Sequence, residues 1–408
     1  MLFSLALLLL AGMLGGELFS RLKLPPLLGM MAAGILIGPY CFNGLDSQLL
    51  ELSGVLRKIA LLIILIRAGL NLKIEDLKKA GRPAILLCFL PATFEIIAFL
   101  IFAPLLLGFD LLEAAILGCV MAAVSPAVVV PGMLKVIDDG YGQDKAIPQM
   151  ILAGASADDV YVLVLFSVFT TLASQGSFHA ETLLRIPTAI LFGAGVGFIT
   201  GLLLCRLFSW KKSGLQTAAQ VLVLLAMGML FYALEDFMTG PVAFSGLIAI
   251  IVTAMVIGAR LPKTGKTLAN GFNQLWKGGE IFLFVLIGAA VNLPYAFRAL
   301  PVNLLLIILC LLVRSVGVML CVSHTRLTFK EKLFCIAAYL PKATVQAAIG
   351  ATPLAMGLAG GESILSCAVT AILFTAPLGA ILIHRLYPIW LTPPKKGKPG
   401  REATLQNS

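Results

Sequence analysis

Apolar stretches long enough to cross a bilayer follow one another along most of the chain, and only short polar stretches separate them. A transmembrane helix needs about 20 apolar residues, and windows of that length predict about thirteen spans. These are residues 2–20, 25–41, 52–70, 82–107, 111–135, 148–174, 184–208, 217–234, 241–259, 278–293, 299–322, 333–358 and 363–386. The loops between them, the longest near 42–51 and 260–277, are too short for a soluble domain. The predicted fold class is therefore an all-α polytopic membrane protein.

The lysines and arginines support this division of the chain, because basic residues concentrate in cytoplasmic loops. Most of the 30 basic residues follow odd-numbered spans, whereas the opposite side carries only Arg57, Lys58, Arg185 and Arg298. With an odd number of spans, this pattern predicts an external N-terminus and a cytoplasmic C-terminus. The net charge of +10 is then a signal of membrane topology, and no nucleic-acid partner is needed to explain it. We expect a multi-pass protein of the cell membrane, the bacterial inner membrane in particular, with lipid as a partner.

The composition excludes a soluble globular protein, because 60% of the residues are hydrophobic and only 12% are charged. Soluble domains are usually about a quarter charged. The eight cysteines form no CxxC pair, so neither a disulfide framework nor a zinc site is predicted, and we expect no cofactor. The first span precedes its basic residues, which is the wrong polarity for a cleaved signal peptide. Residues 389–408 are predicted to form a disordered cytoplasmic tail.

Helix-breaking residues interrupt two of the spans at matching positions. The fifth span contains SPAVVVPG, residues 125–132, and the twelfth contains LPKATVQAAIGATP, residues 340–353. These spans are an odd number apart, so they cross the membrane in opposite directions, as inverted-topology repeats require. Spans four to six and eleven to thirteen are then the repeated units. A broken helix exposes backbone carbonyls and half-helix ends near the midplane, where they can bind a cation.

Two adjacent carboxylates, Asp158 and Asp159, lie in the middle of the sixth span. A central aspartate costs about 2.5–3.5 kcal/mol on insertion scales, so such a pair needs partners, water or a function. Neighbouring helical residues point about 100° apart, so the two carboxylates should have different roles. We expect one to face a cationic partner within the protein and the other to face a water-filled cavity. Burial and mutual repulsion favour protonation while a nearby cation opposes it, so protons and a metal cation can compete there.

Three further charged residues lie deep in predicted spans: Glu95 in the fourth, Arg314 in the eleventh and Lys342 in the second broken span. Arg314 and Lys342 are candidate partners of the aspartates, and Glu95 can neutralise one of them. Glu95 and the two aspartates carry one charge more than the two bases, and this surplus negative charge suits a site that holds either a cation or protons. Arg67 lies close to the end of its span, so its side chain can instead extend to the membrane interface.

The chain resembles the NHA-type sodium/proton exchangers of the cation/proton antiporter superfamily in five stretches: AAVSPAVVVPGMLK, GYGQDKAIP, GASADDV, YLPKATVQAAIG and, earlier, RAGLNLKIEDLKKAGRP. The resemblance covers nearly the whole chain except the tail. It implies the sodium/proton antiporter fold, in which the two broken helices cross, and an elevator-type homodimer. The implied parts are a dimerisation scaffold (1–79 and 213–296), a moving transport core (80–176 and 297–388), a linker helix (177–212) and the tail (389–408).

The resemblance also implies roles for individual residues. Asp159 would be the main carrier of cation and proton, and Asp158 would be its neighbour in the double-aspartate motif of this branch. Related antiporters pair a lysine of the eleventh span with the first aspartate, whereas this chain has Arg314 in that place. Arginine keeps its proton at working pH, so Arg314 cannot carry one, which puts electrogenic coupling in doubt. In NHA-type proteins this arginine pairs with a buried glutamate, which Glu95 matches.

Lys342 matches a family lysine beside the helix crossing, and Ser125 with its neighbouring carbonyls would lie near the ion. The predicted function is secondary antiport, in which Na⁺ or Li⁺ competes with H⁺ for Asp159. A potassium/proton exchanger would use the same carboxylates, so the choice of cation stays open. A sodium-coupled symporter for an organic anion is a weaker alternative, because it needs no adjacent aspartates. An intramembrane aspartyl protease is disfavoured because neighbouring aspartates diverge and cannot meet at one scissile bond.

Overall fold

The computed structural model of the protein describes residues 1–71, 74–173, 180–210, 216–237 and 244–393. Within these ranges the chain forms α-helices, a short 3-10 turn at Gln143–Lys145 and no β-strand, which confirms the all-α prediction. The helices are α1 (Leu2–Arg21), α2 (Pro26–Ile37), α3 (Ser47–Asn71), α4 (Ile74–Leu87), α5 (Leu90–Leu107), α6 (Leu111–Ala122), α7 (Pro126–Asp138), α8 (Ile147–Ala173), α9 (Ala180–Ser209), α10 (Thr217–Phe237), α11 (Gly246–Arg260), α12 (Pro262–Ala289), α13 (Leu293–Val322), α14 (Phe329–Ala338), α15 (Thr344–Ile349), α16 (Thr352–Ala355) and α17 (Gly361–Trp390). Of the predicted tail, residues 394–408 lie outside the described residues.

The helices have the lengths and surfaces of a multi-pass membrane protein. Within the described ranges, eight helical segments are long and apolar enough to cross a membrane, and α2 and α11 are shorter apolar helices. Large apolar side chains such as Leu105 and Leu191 point outward, with 74% and 72% of their surface exposed. Exposed apolar faces of this kind suit contact with lipid chains. The total of about thirteen spans stays a prediction.

The predicted loop at 260–277 is wrong, because α12 begins at Pro262 and continues through this stretch to Ala289. Leu268, Phe272 and Trp276 recur at every fourth position and are buried. They form the apolar stripe of an amphipathic helix, whose other face carries exposed lysines and asparagines. That polar face lowers the average hydropathy of the stretch, which is why a search for long apolar windows missed the helix.

The predicted fourth span, 82–107, is divided into two helices by a turn at Cys88 and Phe89. Pro91 occupies the first turn of α5, where its missing N–H is not needed for an intrahelical hydrogen bond. Gly81, with φ +79°, bends α4 before the span begins. Because the second of these helices begins at Leu90, Glu95 lies in the first half of α5.

The two helix breaks predicted from the prolines lie against each other. The fifth predicted span divides into α6 and α7 at residues 123–125, and Pro126 begins α7. The twelfth divides into α14 and α15, with residues 339–343 between them. The amide of Ser125 donates to the carbonyl oxygen of Pro341 at 2.8 Å. The extended segments therefore touch where they cross, in agreement with the predicted fold class.

The packing of the helices falls into two groups. In the first group, α1 packs on α2 and α12. Helices α3, α9 and α10 pack on α11, and α12 also packs on α3. In the second, α4 to α8 pack among themselves and with α13, α14 and α17, and the short helices α15 and α16 pack on α17. Contacts between the groups are made mainly by α8 with α3 and α11, and by α15 with α3 and α12. Helix α8, which carries the two aspartates, thus lies along the boundary.

Two glycines allow α1 and α2 to pack at close range, because a Cβ atom at Gly29 would overlap the carbonyl oxygen of Gly15. In an exposed helix, Gly→Ala is normally favourable by about 1 kcal/mol. We expect Gly29→Ala to be destabilising instead, because overpacking should lower the free energy of unfolding by about 2 kcal/mol. The matched control is Gly195→Ala in α9, where no atom lies within 4 Å of the new Cβ. Equal thermal unfolding temperatures for the two variants in detergent would show that this contact is not tight.

Candidate functional site

Asp158 lies on α8 with its side chain completely buried. One carboxylate oxygen, Oδ2, accepts a hydrogen bond from the amide of Val124 at 2.8 Å and lies 3.4 Å from Nη2 of Arg314. The amide of Val124 is available because it belongs to the extended segment between α6 and α7, outside regular helical hydrogen bonding. The other oxygen, Oδ1, is buried and has no hydrogen-bond partner. Protein groups therefore bind Oδ2 of Asp158 and leave Oδ1 without a partner.

Asp159 follows on the same helix and faces different neighbours. Its side chain is 3% exposed, and its Oδ1 atom is buried without a hydrogen-bond partner. The charge of Asp158 repels it, and the guanidinium of Arg67 on α3 attracts it. Asp159 therefore combines burial with at least one carboxylate oxygen that no protein group occupies.

Arg314 ties four parts of the fold together through its guanidinium group. Nη1 forms an ion pair with Oε2 of Glu95 at 2.6 Å and donates to the carbonyl oxygen of Ala122. Nε donates to the carbonyl oxygen of Tyr339 at 2.9 Å, and Nη2 faces Asp158. Ala122 is the last residue of α6, and Tyr339 is the residue that follows α14. Arg314 thus satisfies backbone groups left free at both helix breaks, as well as two carboxylates.

Lys342 lies in the second extended segment and is completely buried. Its Nζ atom is 2.6 Å from Oε2 of Glu95, the same oxygen that receives Arg314. Its amide donates to Oγ1 of Thr375 on α17 at 2.9 Å, which fixes the backbone at this point. Glu95 therefore bridges two bases in a region where an unpaired charge would be costly.

Several buried oxygen atoms near the helix breaks have no hydrogen-bond partner. Besides the Oδ1 atoms of the two aspartates, they include Oγ of Ser125, Oη of Tyr339, Oγ1 of Thr344 and Oε1 of Gln346. Ser125 is the N-cap residue of α7, yet its hydroxyl makes no capping bond. Among the described residues no group of three or more His, Cys, Asp or Glu could hold a metal ion. The unpartnered oxygens near the helix breaks therefore comprise hydroxyl and amide oxygens as well as carboxylates.

Sequence reasoning missed Gln346, a neutral residue within an apolar stretch. Its Nε2 atom donates to the carbonyl oxygens of Val120 at 3.1 Å, Met121 at 3.4 Å and Ala123 at 3.0 Å. These carbonyls belong to the last turn of α6 and the extended segment that follows. Gln346 lies on α15, in one broken helix, and thus binds the backbone of the other broken helix. In the sequence, the only signal for this residue was an amide side chain close to a predicted helix break.

Arg67, whose place near the end of its span lets the side chain extend to the interface, is half-buried in the structure. Its guanidinium lies 5.6 Å from the ring centroid of Trp276, and its charge interacts with Asp159 and Glu280. Trp276 and Glu280 both lie on α12, the helix missed in the sequence. Adding Arg67 and Glu280 to the buried charges still leaves one surplus negative charge.

We expect Gln346→Leu to lower the free energy of unfolding by about 2 kcal/mol, because buried carbonyls that lose a donor remain unsatisfied. Thermal unfolding of purified protein measures this effect. Gln143→Leu is the matched control, since Gln143 is exposed and donates to a single carbonyl, that of Ile137. If both substitutions leave the unfolding temperature unchanged, the carbonyls near α6 do not depend on this side chain.

Comparisons with known proteins agree on one family. The model of the family described as sodium/hydrogen exchanger, transmembrane, matches residues 5–387. Sodium/hydrogen exchanger 9B2 from Mus musculus is 33% identical over 408 residues, which cover 95% of this chain and 73% of the relative. Sodium/hydrogen exchanger 9B1 from Homo sapiens is 30% identical over 411 residues, covering 96% and 78%. The solved structure of the sodium proton antiporter MjNhaP1 from Methanocaldococcus jannaschii shares the fold, with TM-score 0.78 at 22% identity over 95% of this chain and 97% of the other.

Proposed function

The chain belongs to the transmembrane sodium/hydrogen exchanger family, a family of transporters rather than enzymes, and on this premise we propose that it exchanges Na⁺ or Li⁺ for H⁺. Cation and proton compete for the carboxylate of Asp159. The observation that carries this proposal is the contrast between neighbours. Both aspartates have a buried Oδ1 without a partner, but Oδ2 of Asp158 is held by Val124 and Arg314, whereas no hydrogen bond or ion pair to the Asp159 side chain is found among the described residues.

Competition for one carboxylate couples the two fluxes. A protonated Asp159 has no charge to offer a cation, and a bound cation leaves no place for the proton. Arg314 remains charged throughout, because arginine does not release its proton at working pH. Its part is to hold Asp158 and Glu95 in place, together with Lys342. Ser125, with its free hydroxyl and the neighbouring backbone oxygens, completes the cation site.

The driving force available to such an exchanger is modest but sufficient. Each proton moved down a gradient of one pH unit releases about 1.4 kcal/mol. High pH deprotonates Asp159 and favours cation binding, so exchange rises with pH until protons become scarce. The protein is a multi-pass membrane protein, and we propose that it acts in a bacterial inner membrane with its basic loops in the cytoplasm.

We further propose that the two helix groups move against each other as transport core and scaffold. Asp159 lies on α8, at the boundary between the groups, which places the bound ion where a sliding motion exposes it to either side. Among the described residues, the main packing partners of α1 are α2 and α12 of its own group, and α1 has exposed apolar side chains such as Leu2, 82% exposed. This face suits a homodimer, which a particle mass of twice that of one chain would show.

The sliding motion predicts a difference between two cross-links. A disulfide introduced between α3 and α8 joins the two groups, and we expect it to stop exchange, with recovery on reduction. A disulfide between α3 and α11 joins helices of one group, which also pack together, and exchange should continue. Equal exchange in the two oxidised proteins would contradict an elevator motion.

The cation is identified by proton release from acid-loaded proteoliposomes after addition of Na⁺, Li⁺ or K⁺. A response to Na⁺ or Li⁺ supports the proposal. A response to K⁺ alone keeps the mechanism and makes the protein a potassium/proton exchanger, which uses the same carboxylates. If no cation moves protons over a wide pH range, the exchanger mechanism is wrong. A sodium-coupled symporter for an organic anion is then the function to test.

A further inference from the structure

A cavity of about 550 Å³ lies between the two helix groups, separate from the aspartates. Its walls come from the first part of α3 and from α10 and α11 on one side, and from the last part of α8 and from α15 and α16 on the other. All these segments approach the side of the molecule opposite the basic loops. The volume lies within the range of about 300–1,000 Å³ that is usual for small-molecule sites.

Arg57 on α3 lines this cavity and is 9% exposed. Its Nη1 atom is buried and has no hydrogen-bond partner, although its charge requires one. Within the described residues no ion pair to Arg57 is found. A guanidinium that is about nine-tenths buried, keeps an unused donor and belongs to the wall of a cavity suits the binding of a carboxylate, sulfonate or phosphate group.

The other lining residues indicate what accompanies the anionic group. Lys58 is exposed, with Nζ 4.5 Å from the ring centroid of Tyr232, and adds a second positive charge. Glu235, which accepts a hydrogen bond from the amide of Gly246, is the one carboxylate found on this wall in the part of the chain that the structure describes. The rest of the wall combines apolar side chains, for example Leu61 and Phe166, with the hydroxyl groups of one serine and three threonines. The cavity therefore offers a positively charged end and a larger uncharged wall that is partly apolar.

We propose that this cavity binds an amphipathic anion whose charged head contacts Arg57. The ligand is either a free amphiphile with a sulfonate, carboxylate or phosphate head, or a lipid with an anionic headgroup. Because the walls belong to both helix groups, a bound anion holds the groups in the present arrangement. If the protein works as proposed above, the anion inhibits exchange; binding itself does not depend on that function.

The probe is benzenesulfonate, a permanent anion that cannot carry protons across a membrane. We expect calorimetry on the detergent-purified protein to show saturable binding, with binding at least about tenfold weaker in Arg57→Gln, since a charge-assisted hydrogen bond is lost. Arg298→Gln, at an exposed arginine on the same side but outside the cavity, should bind as the wild type does. Ala355→Trp, which fills the cavity from an exposed position, should also abolish binding, and it tests the site without removing a charge.

Further ligands and one further variant separate the possible outcomes. Uncharged benzenesulfonamide should not bind, and sulfate should bind weakly because it lacks an apolar body. At a salt concentration of about 1 M, which screens the surface charge of the bilayer, weaker benzenesulfonate binding in phosphatidylglycerol nanodiscs than in phosphatidylcholine nanodiscs identifies a lipid headgroup as the occupant, and equal binding identifies a free amphiphile. Asp159→Asn should still bind the probe, even with exchange abolished. Absence of binding to the wild type, or unchanged binding in both Arg57→Gln and Ala355→Trp, would overturn the proposal.

Discussion

Asp159→Asn is expected to abolish cation-driven proton movement in proteoliposomes, with a loss of at least about 100-fold, because one substitution removes both the charged cation ligand and the proton acceptor. The fold should survive. Oδ1 of Asp159 has no hydrogen-bond partner to lose, and a neutral amide is cheaper to bury in a membrane than a carboxylate. A stable but inactive protein is thus the specific expectation for this position.

Ligand-dependent stability provides a second measurement that needs no transport. At a concentration about 100 times its dissociation constant, a bound cation stabilises the native state by about 2.7 kcal/mol. The unfolding temperature of the wild type should therefore rise with Na⁺ or Li⁺ at high pH and fall back as the pH is lowered. Asp159→Asn should show no such rise at any pH.

Two controls make the result specific. Asp144→Asn changes an exposed aspartate in the 3-10 turn and should alter neither exchange nor the response to cations. Asp158→Asn keeps an acceptor for the amide of Val124 but removes the charge that faces Arg314, so it should lower stability even without cations. Competition at Asp159 would be refuted if Asp159→Asn kept wild-type exchange, or kept a cation-dependent rise in unfolding temperature.

Glu95→Gln should cause the largest loss of stability, about 3–5 kcal/mol, because it leaves buried positive charges without their shared partner. Arg314 is 1% exposed and Lys342 is 0% exposed, and both contact the same oxygen of Glu95. The glutamine has the same shape but offers no negative charge, so the two bases repel each other. Thermal or chemical unfolding in detergent measures the loss.

The double variant Glu95→Gln, Lys342→Met tests this explanation. It removes one of the two repelling bases, while Arg314 keeps Asp158 as a partner, so the double variant should be more stable than Glu95→Gln alone. As a control, Glu17→Gln breaks an exposed ion pair with Arg21 and should change stability by less than about 1 kcal/mol. Additive losses in the double variant would show that Glu95 and Lys342 are not energetically coupled.

The charged residues of the site could be identified from the sequence because ionisable side chains are rare within apolar spans. Asp158, Asp159, Glu95, Arg314 and Lys342 each interrupt a stretch of apolar residues, and the structure brings four of them into one ion-paired network, beside the adjacent Asp159. The prolines similarly marked the helix breaks. In each case the signal is a residue whose presence in a bilayer is costly.

Contacts between distant residues could not be predicted in the same way. Nothing in the chain indicates that one oxygen of Glu95 receives two bases, or that Gln346 reaches three carbonyls of another helix. Arg67 was judged by its distance from a loop, which says nothing about the helix that packs on it. That helix, α12, was itself hidden because an amphipathic stretch has too low an average hydropathy.

The acids and the bases of the Arg314 network are synthesised at different times. Glu95 pairs with a base 219 residues further along the chain, and with another 247 residues further. During translation the three acids therefore enter the bilayer well before Arg314 and Lys342 leave the ribosome. Until then they have to remain protonated or hydrated, and the helices that carry them cannot settle into their final packing. A nascent chain stalled before Arg314 should consequently be a substrate for membrane proteases, whereas one stalled after Lys342 has every charge that the network requires.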